Sequence, residues 1–234
     1  MAPLEEWASS RRKRRVIRLS IPCEDAKPFT VLCLGAHSDD IEIGCGATLL
    51  HFKQIFPQLR IHWVVFSASG VRGQEASKAA ELFTSGCDKK IVLKEFRDGF
   101  LPYSGHEVKE FFEEIKREVN PDLIFTHWQG DAHQDHRLLS DLTGNTFRNH
   151  LILEYEIPKY DGDIGRPNVF VPLDAPLYET KINYLLETFE SQRARRWFDR
   201  ETFLGLMRIR GMESNAASGY AEAFHCRKVV LEGI

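Results

Sequence analysis

Two short stretches carry most of the side chains in this sequence that could do chemistry. Ala36 to Asp40 reads AHSDD, and Thr126 to His136 reads THWQGDAHQDH. The first sets His37 just ahead of the adjacent carboxylates Asp39 and Asp40, and the second packs His127, Asp131, His133, Asp135 and His136 together. Neighbouring carboxylates repel, and burying either without a partner is expensive, so the arrangement calls for a cation or a helix N-terminus. An ordinary helix cap by Ser38 or Asp39 would explain the first stretch taken alone, and a solvated loop the second. Together they point to a divalent transition ion. Imidazole nitrogen with carboxylate oxygen suits Zn²⁺, and three protein ligands with a position left for water is the catalytic pattern. The five cysteines contain no C-x-x-C pair, so they supply neither a thiolate set to close such a site nor a disulfide framework.

Both stretches follow apolar runs. Thr30 to Ala36 (TVLCLGA), Ile61 to Ala68 (IHWVVFSA), Ile91 to Leu93 and Leu123 to Thr126 are short and continuous, as strands of a parallel sheet covered on both faces should be. Between them, Ala76, Ala79, Ala80 and Phe83 mark one helix face, and Val108, Phe111, Phe112, Ile115 and Val119 mark another. Tyr178, Ile182, Leu185, Leu186 and Phe189 suggest a further helix, and Tyr220 to Leu231 a closing strand. The alternation predicts an α/β fold, Rossmann-like, with a mostly parallel sheet, helices on both faces and the metal site at the carboxyl ends of the strands. The whole chain, 1–234, reads as a single domain: an N-terminal basic arm over 1–28 that holds RRKRR (Arg11 to Arg15), then a catalytic α/β core over 29–234.

Net charge is −3, so no global field draws in nucleic acid. No eighteen apolar residues run together, which removes a transmembrane segment, and VIRLSIPCED has no secretory apolar region. A cytoplasmic setting is expected, and a homo-oligomer is compatible with the sequence.

With both motifs in view, the chain resembles the PIG-L/LmbE-like family of zinc-dependent N-acetylglucosaminyl deacetylases, whose motifs are A-H-P-D-D and H-x-D-H. Here they stand as AHSDD and HQDH (His133 to His136), accompanied by DDIEIGCGATL, RGQEASKAAELF, PDLIFTH, KINYLLETFESQ and YAEAF over roughly Thr30 to Leu231. Ser38 departs from the family's proline. The resemblance makes the single domain a deacetylase domain. It implies His37, Asp40 and His136 as metal ligands, Asp39 as general base, His133 as general acid or oxyanion stabiliser, and Asp135 as the residue that orients His133. It implies Arg72 near the substrate and Asp131 as a carboxylate behind the ligands; with Trp128, whose loop carries the site and whose ring could stack on a sugar, these complete the substrate-side set. The cofactor implied is Zn²⁺, with Fe²⁺ or another divalent ion as a substitute, and the partner a small amino-sugar conjugate that loses its N-acetyl group as acetate.

Two other classes fit parts of the pattern. His37 and Asp39 also form H-x-D, which with a distant histidine would make the two-histidine, one-carboxylate triad of a non-haem Fe(II) oxygenase. Gly44 and Gly46 could instead lie near a phosphate in a non-catalytic sugar- or nucleotide-binding module.

Overall fold

The computed structural model describes residues 18–21 and 27–230; RRKRR and most of the N-terminal arm lie outside the described residues. Elements follow in the order β1 (Phe29–His37), α1 (Asp40–Ile55), β2 (Leu59–Ser67), α2 (Gly70–Phe83), β3 (Asp88–Leu93), α3 (Gly105–Glu118), β4 (Leu123–His127), α4 (Gln134–Thr146), β5 (Leu151–Tyr155), β6 (Val169–Pro172), α5 (Ala175–Thr188), α6 (Arg200–Glu213) and β7 (Ala221–Cys226). They form one sheet in the order β3-β2-β1-β4-β5-β7-β6. β1 to β5 are parallel, whereas β7 runs antiparallel to both β5 and β6.

Strand direction and order decide where a site can form. The chain winds outward from β1 through β2 to β3, then returns to place β4 on the other side of β1, so the carboxyl ends of β1 and β4 flank the switch point where an α/β sheet opens a crevice. His37 ends β1 and His127 ends β4. Each expected strand is present, and the helix over DDIEIGCGATL is α1.

The central strands bury both faces, and their residues alternate between two apolar layers. Val31, Cys33, Trp63, Val65 and Phe125 pack with residues of α1, α2, α5 and α6. Leu32, Leu34, Val64, Phe66 and Ile124 pack with Val108, Phe112 and Ile115 of α3 and Leu139 of α4. The faces expected for α2, α3 and α5 are the buried ones: Ala76, Ala79, Ala80 and Phe83 on α2, for example, are fully covered. The closing strand is shorter than the Tyr220 to Leu231 run, ending at Cys226, and Leu231 lies outside the described residues.

Helix α1 is enclosed on nearly all sides through its first three turns, and Gly44 is what admits it. A Cβ there would lie 2.2 Å from Cδ2 and 2.3 Å from Cγ of Tyr155, a fully buried ring whose hydroxyl donates to the Leu34 carbonyl at 2.6 Å. The ring is tethered and cannot retreat. Gly44→Ala is therefore expected to lower stability by about 1–3 kcal/mol through overpacking, seen as a fall in the urea midpoint at unchanged m-value.

A buried ion pair also enters α1. Lys181 of α5 donates through Nζ to Glu222 Oε1 of β7 at 2.6 Å and to the Ile43 carbonyl at 2.5 Å. Glu222 in turn accepts from the Ala47 and Thr48 N–H groups at 3.0 and 2.7 Å. Mid-helix groups that reach side chains mark a place where a side chain inserts into the helical ladder. The turn of α1 bearing Asp40 is thus fixed from α5 and β7.

Candidate metal centre

His37 leaves the end of β1 with both ring nitrogens engaged. Nδ1 lies 3.1 Å from His136 Nε2 and 3.3 Å from Asp40 Oδ2, and Asp40 Oδ2 is 3.6 Å from His136 Nε2. Three donor atoms from β1, α1 and α4 thus form a triangle. An ion with tetrahedral bonds of about 2.0–2.1 Å spaces its ligand atoms by about 3.3 Å, so the triangle fits one.

The outer nitrogen of each imidazole supports the same assignment. His37 Nε2 meets Asp135 Oδ2 and Asp98 Oδ1, each at 3.2 Å. His136 Nδ1 meets Asp131 Oδ2 at 2.9 Å. A carboxylate behind a metal-binding histidine takes its N–H and leaves the opposite nitrogen with a lone pair for the ion. His37 and His136 both have this arrangement, with their opposite nitrogens, Nδ1 and Nε2, facing Asp40.

Charge also suits the centre to a cation. Asp39, Asp40, Asp131 and Asp135 are buried, with the half-exposed Asp98 beside them, and the permanent cations that touch them are Arg72 and Lys159. Burial works against a charged His37, yet Asp40, Asp135 and Asp98 outweigh it and hold its imidazole well above the ordinary value. Burial likewise pushes Asp40 up, but His136, His127 and His37 hold its carboxyl well below the usual range. Burial and the neighbouring His127 pull His136 down to about 4.

Asp39 stands apart from its neighbour. It occupies the N-cap position of α1 but makes no side-chain cap; Oδ1 accepts from Arg72 Nη2 at 3.0 Å, and Oδ2 is buried with no hydrogen-bond partner among the described residues. Ser38 does not cap either, since its hydroxyl donates to the Ser67 carbonyl at 3.4 Å. The simple helix-cap explanation of AHSDD is thereby corrected: neither the Ser38 nor the Asp39 side chain closes the helix end. Burial, with the Asp40 charge adding and the Arg72 guanidinium opposing, raises the Asp39 carboxyl to about 6.

His133 caps α4. Its Nδ1 accepts the Asp135 N–H at 3.2 Å, so a neutral ring carries its proton on Nε2. One of its nitrogens lies within 4.8 Å of those of His37 and His136. The Asp135 carboxylate does not orient His133 as expected. It faces His37 and accepts from the Gly99 and Leu101 N–H groups at 2.8 and 3.2 Å, because α4 begins at Gln134 and directs Asp135 inward toward β1.

The substrate-side set divides. Arg72 bridges Asp39 and, through Nη1 at 3.1 Å, Asp98. Asp131 is spent on His136, the His133 N–H and Lys159 Nζ at 3.0 Å, which places it behind the candidate ligands rather than toward a substrate. Trp128 stacks on His225 with centroids 4.5 Å apart, and Gly130 and Gly165 crowd its ring, so it acts as a packing wedge and not as an open sugar platform.

Three residues beyond the expected set complete the centre. Asp98 comes from the loop after β3 and Lys159 from the loop after β5, and no local pattern distinguished either from a solvated charge. His127 has Nε2 3.0 Å from the Ala36 N–H and 3.2 Å from Asp40 Oδ2, and its ring stacks on His136 at 3.8 Å. With the Ala36 N–H on its Nε2, it braces the candidate ligands from behind.

Geometry disfavours the two other classes. The carboxylate that joins His37 and His136 belongs to Asp40, not Asp39, so the H-x-D triad of an Fe(II) oxygenase is not assembled. Gly44 and Gly46 pack on Tyr155 and Phe83 instead of opening toward a phosphate.

A doubly wound sheet with two carboxylate-backed histidines and one aspartate at its switch point is an arrangement suited to metal-assisted hydrolysis. The family model PIG-L, described as GlcNAc-PI de-N-acetylase, matches residues 32–147. A relative named uncharacterized deacetylase YaiS, from Escherichia coli (strain K12), is 30% identical over 139 residues, covering 55% of this chain and 74% of its own. The chain belongs to the PIG-L family and is a hydrolytic N-deacetylase. Among solved structures, N,N'-diacetylchitobiose deacetylase from Pyrococcus horikoshii superposes with a TM-score of 0.63 at 21% identity, over 85% of this chain and 83% of that one. The zinc-inhibited form of teicoplanin deacetylase Orf2 gives 0.61 at 16%, over 84% and 97%. GalB, the 4-carboxy-2-hydroxymuconate hydratase of Pseudomonas putida KT2440, gives 0.65 at 17%, over 88% and 99%. At these identities the likeness shows the fold, and a hydratase among the three makes the point that chemistry must be argued from the site. Among the described residues, no helix is long and apolar enough to cross a membrane.

Proposed function

We propose that the chain is a zinc-dependent hydrolase that removes the N-acetyl group from an N-acetylated amino-sugar conjugate, giving acetate and a free amine. The observation that carries this reading is the triangle of His37 Nδ1, Asp40 Oδ2 and His136 Nε2 with its carboxylate backing, together with a buried Asp39 oxygen that has no hydrogen-bond partner among the described residues. A Zn²⁺ ion held by those three residues supplies an acidified water and polarises the acetamide carbonyl.

The chain's own groups handle the protons. Asp39, ionised above about 6, takes the water proton through the free Oδ2 as the oxygen attacks the carbonyl carbon. His133 donates a hydrogen bond from Nε2 to the developing oxyanion and keeps its proton. The proton held by Asp39 then passes to the nitrogen as the C–N bond breaks. Arg72 fixes the other Asp39 oxygen, so the free one keeps its aim.

Acetate release from N-acetylglucosamine conjugates tests this reading: zinc-loaded protein should turn over at least one of them, and chelator-treated protein none. Metal content gives a second check. His37→Ala and Asp40→Ala are expected to drop the zinc-to-protein ratio from about one to near zero, and Asp131→Asn to weaken zinc binding by about 10–100-fold with the ligands intact. Full zinc binding by Asp40→Ala would sink the assignment.

A further inference from the structure

We infer that Lys159 is a positioning residue of the metal centre: its ammonium, seated on Asp131, draws off part of the charge that this carboxylate would otherwise place on His136. His136 is thereby kept a weaker donor, which leaves an ion on it less tightly held and more able to polarise an amide. The inference rests on the zinc reading above.

Asp131 divides its oxygens. Oδ2 meets His136 Nδ1 at 2.9 Å, and Oδ1 receives the His133 N–H at 2.7 Å and Lys159 Nζ at 3.0 Å. The side chain of Lys159 is 10% exposed and that of Asp131 2%, so little water screens the pair. Asp163 takes another side of the ammonium and is itself held by the Ala132 N–H at 2.6 Å. His37 is backed in the same manner: Asp98 Oδ1 meets its Nε2, and Arg72 Nη1 donates to the other Asp98 oxygen at 3.1 Å. Behind each histidine of the triangle stands a carboxylate that carries its own cation.

A carboxylate that takes the N–H of a ligand histidine makes the opposite nitrogen a stronger donor, and a stronger donor binds the ion more tightly but leaves it a weaker Lewis acid. A cation on the carboxylate works against that transfer. Removing the ammonium leaves the seat in place: Asp131 keeps the His133 N–H and His136, and Asp163 keeps the Ala132 N–H. The loop itself stays anchored, since the Tyr160 hydroxyl accepts the Arg196 N–H at 3.3 Å and the Gly165 N–H donates to Glu156 at 2.7 Å. Charge, rather than shape, is what a neutral residue at 159 changes.

Zinc affinity, measured by competition with a chromophoric chelator, tests the inference because the sign of the change separates the roles. Lys159→Met and Lys159→Gln are each expected to bind zinc about three- to tenfold tighter than the unmutated protein, and Lys159→Arg to match it. The glutamine variant keeps a hydrogen-bond donor for Asp131 should the methionine variant fold poorly. Loss of a merely structural prop would loosen the ion instead. In the Asp131→Asn background Lys159→Met should lose most of its effect, since the charge through which it acts is gone. On a conjugate that the unmutated enzyme hydrolyses, Lys159→Gln should lower kcat per bound zinc by about three- to tenfold with KM little changed. Zinc binding unchanged or weakened in both neutral variants, an equal tightening with and without Asp131, or an undiminished kcat overturns the inference. A protein that binds zinc but hydrolyses none of the conjugates fails the deacetylase reading and leaves the affinity test standing; one that binds no zinc removes the metal-centre reading and this inference with it.

Discussion

Asp39→Asn is expected to leave a folded, zinc-loaded protein whose turnover is lower by about 10²- to 10⁴-fold. The substituted amide keeps the size of the side chain and can still meet Arg72, so helix α1 and Asp40 stay in place; what disappears is a carboxylate able to take a proton. Zinc content by atomic emission and single-turnover acetate release separate the two roles. Loss of the metal together with activity would show that Asp39 holds the ion and would undo the division of labour between the adjacent aspartates. The pH profile adds an independent readout. A base works when deprotonated, and the Asp39 carboxyl sits at about 6, raised by burial and Asp40 and restrained by Arg72 and His37. Activity is therefore expected to fall as pH drops through that region, and a bound cation can only move the limb to lower pH. Arg72→Ala removes the main restraint, so its acid limb should shift to higher pH.

Much of the centre was legible because its candidate ligands and base lie in two short segments at strand ends. Parallel strands carry such ends to one edge whatever the separation in sequence, which is why His37 and His136 meet across 99 positions. Asp98 and Lys159 were not legible. Each sits in a loop whose local sequence resembles any exposed connection, and its partner is fixed only after β3 and β5 take their places beside β2 and β4. The edge of the sheet was hidden for a related reason: β6 is the four-residue VFVP, and β5 is LILEY with an inward glutamate, Glu154, held by Arg227 and Ser140. Short strands that mix charge into an apolar run lose the pattern that marks a central strand. Trp128 misled because a loop near the site implies access, whereas contacts with His225, Gly130 and Gly165 close its ring.

Lys181→Met is expected to cost about 3–5 kcal/mol, a large share of the roughly 5–15 kcal/mol that holds a typical domain together. Lys181 and Glu222 have side chains only 3% exposed, so deleting the ammonium leaves a buried carboxylate with two N–H donors and no counter-charge. Glu222→Gln should cost less than Lys181→Met, since a neutral amide still offers an oxygen to Ala47 or Thr48, although its NH₂ then faces Lys181. Removing both charges lets the ladder of α1 close on itself, so the double substitution Lys181→Met/Glu222→Leu should cost well under the sum of the single changes. Urea unfolding of the cycle measures this coupling; strict additivity would show that the two side chains act independently. The same pair sets the turn after Asp39 and Asp40. Lys181→Met protein that remains folded should therefore also bind zinc more weakly, an effect that loss of stability remote from the site would not produce.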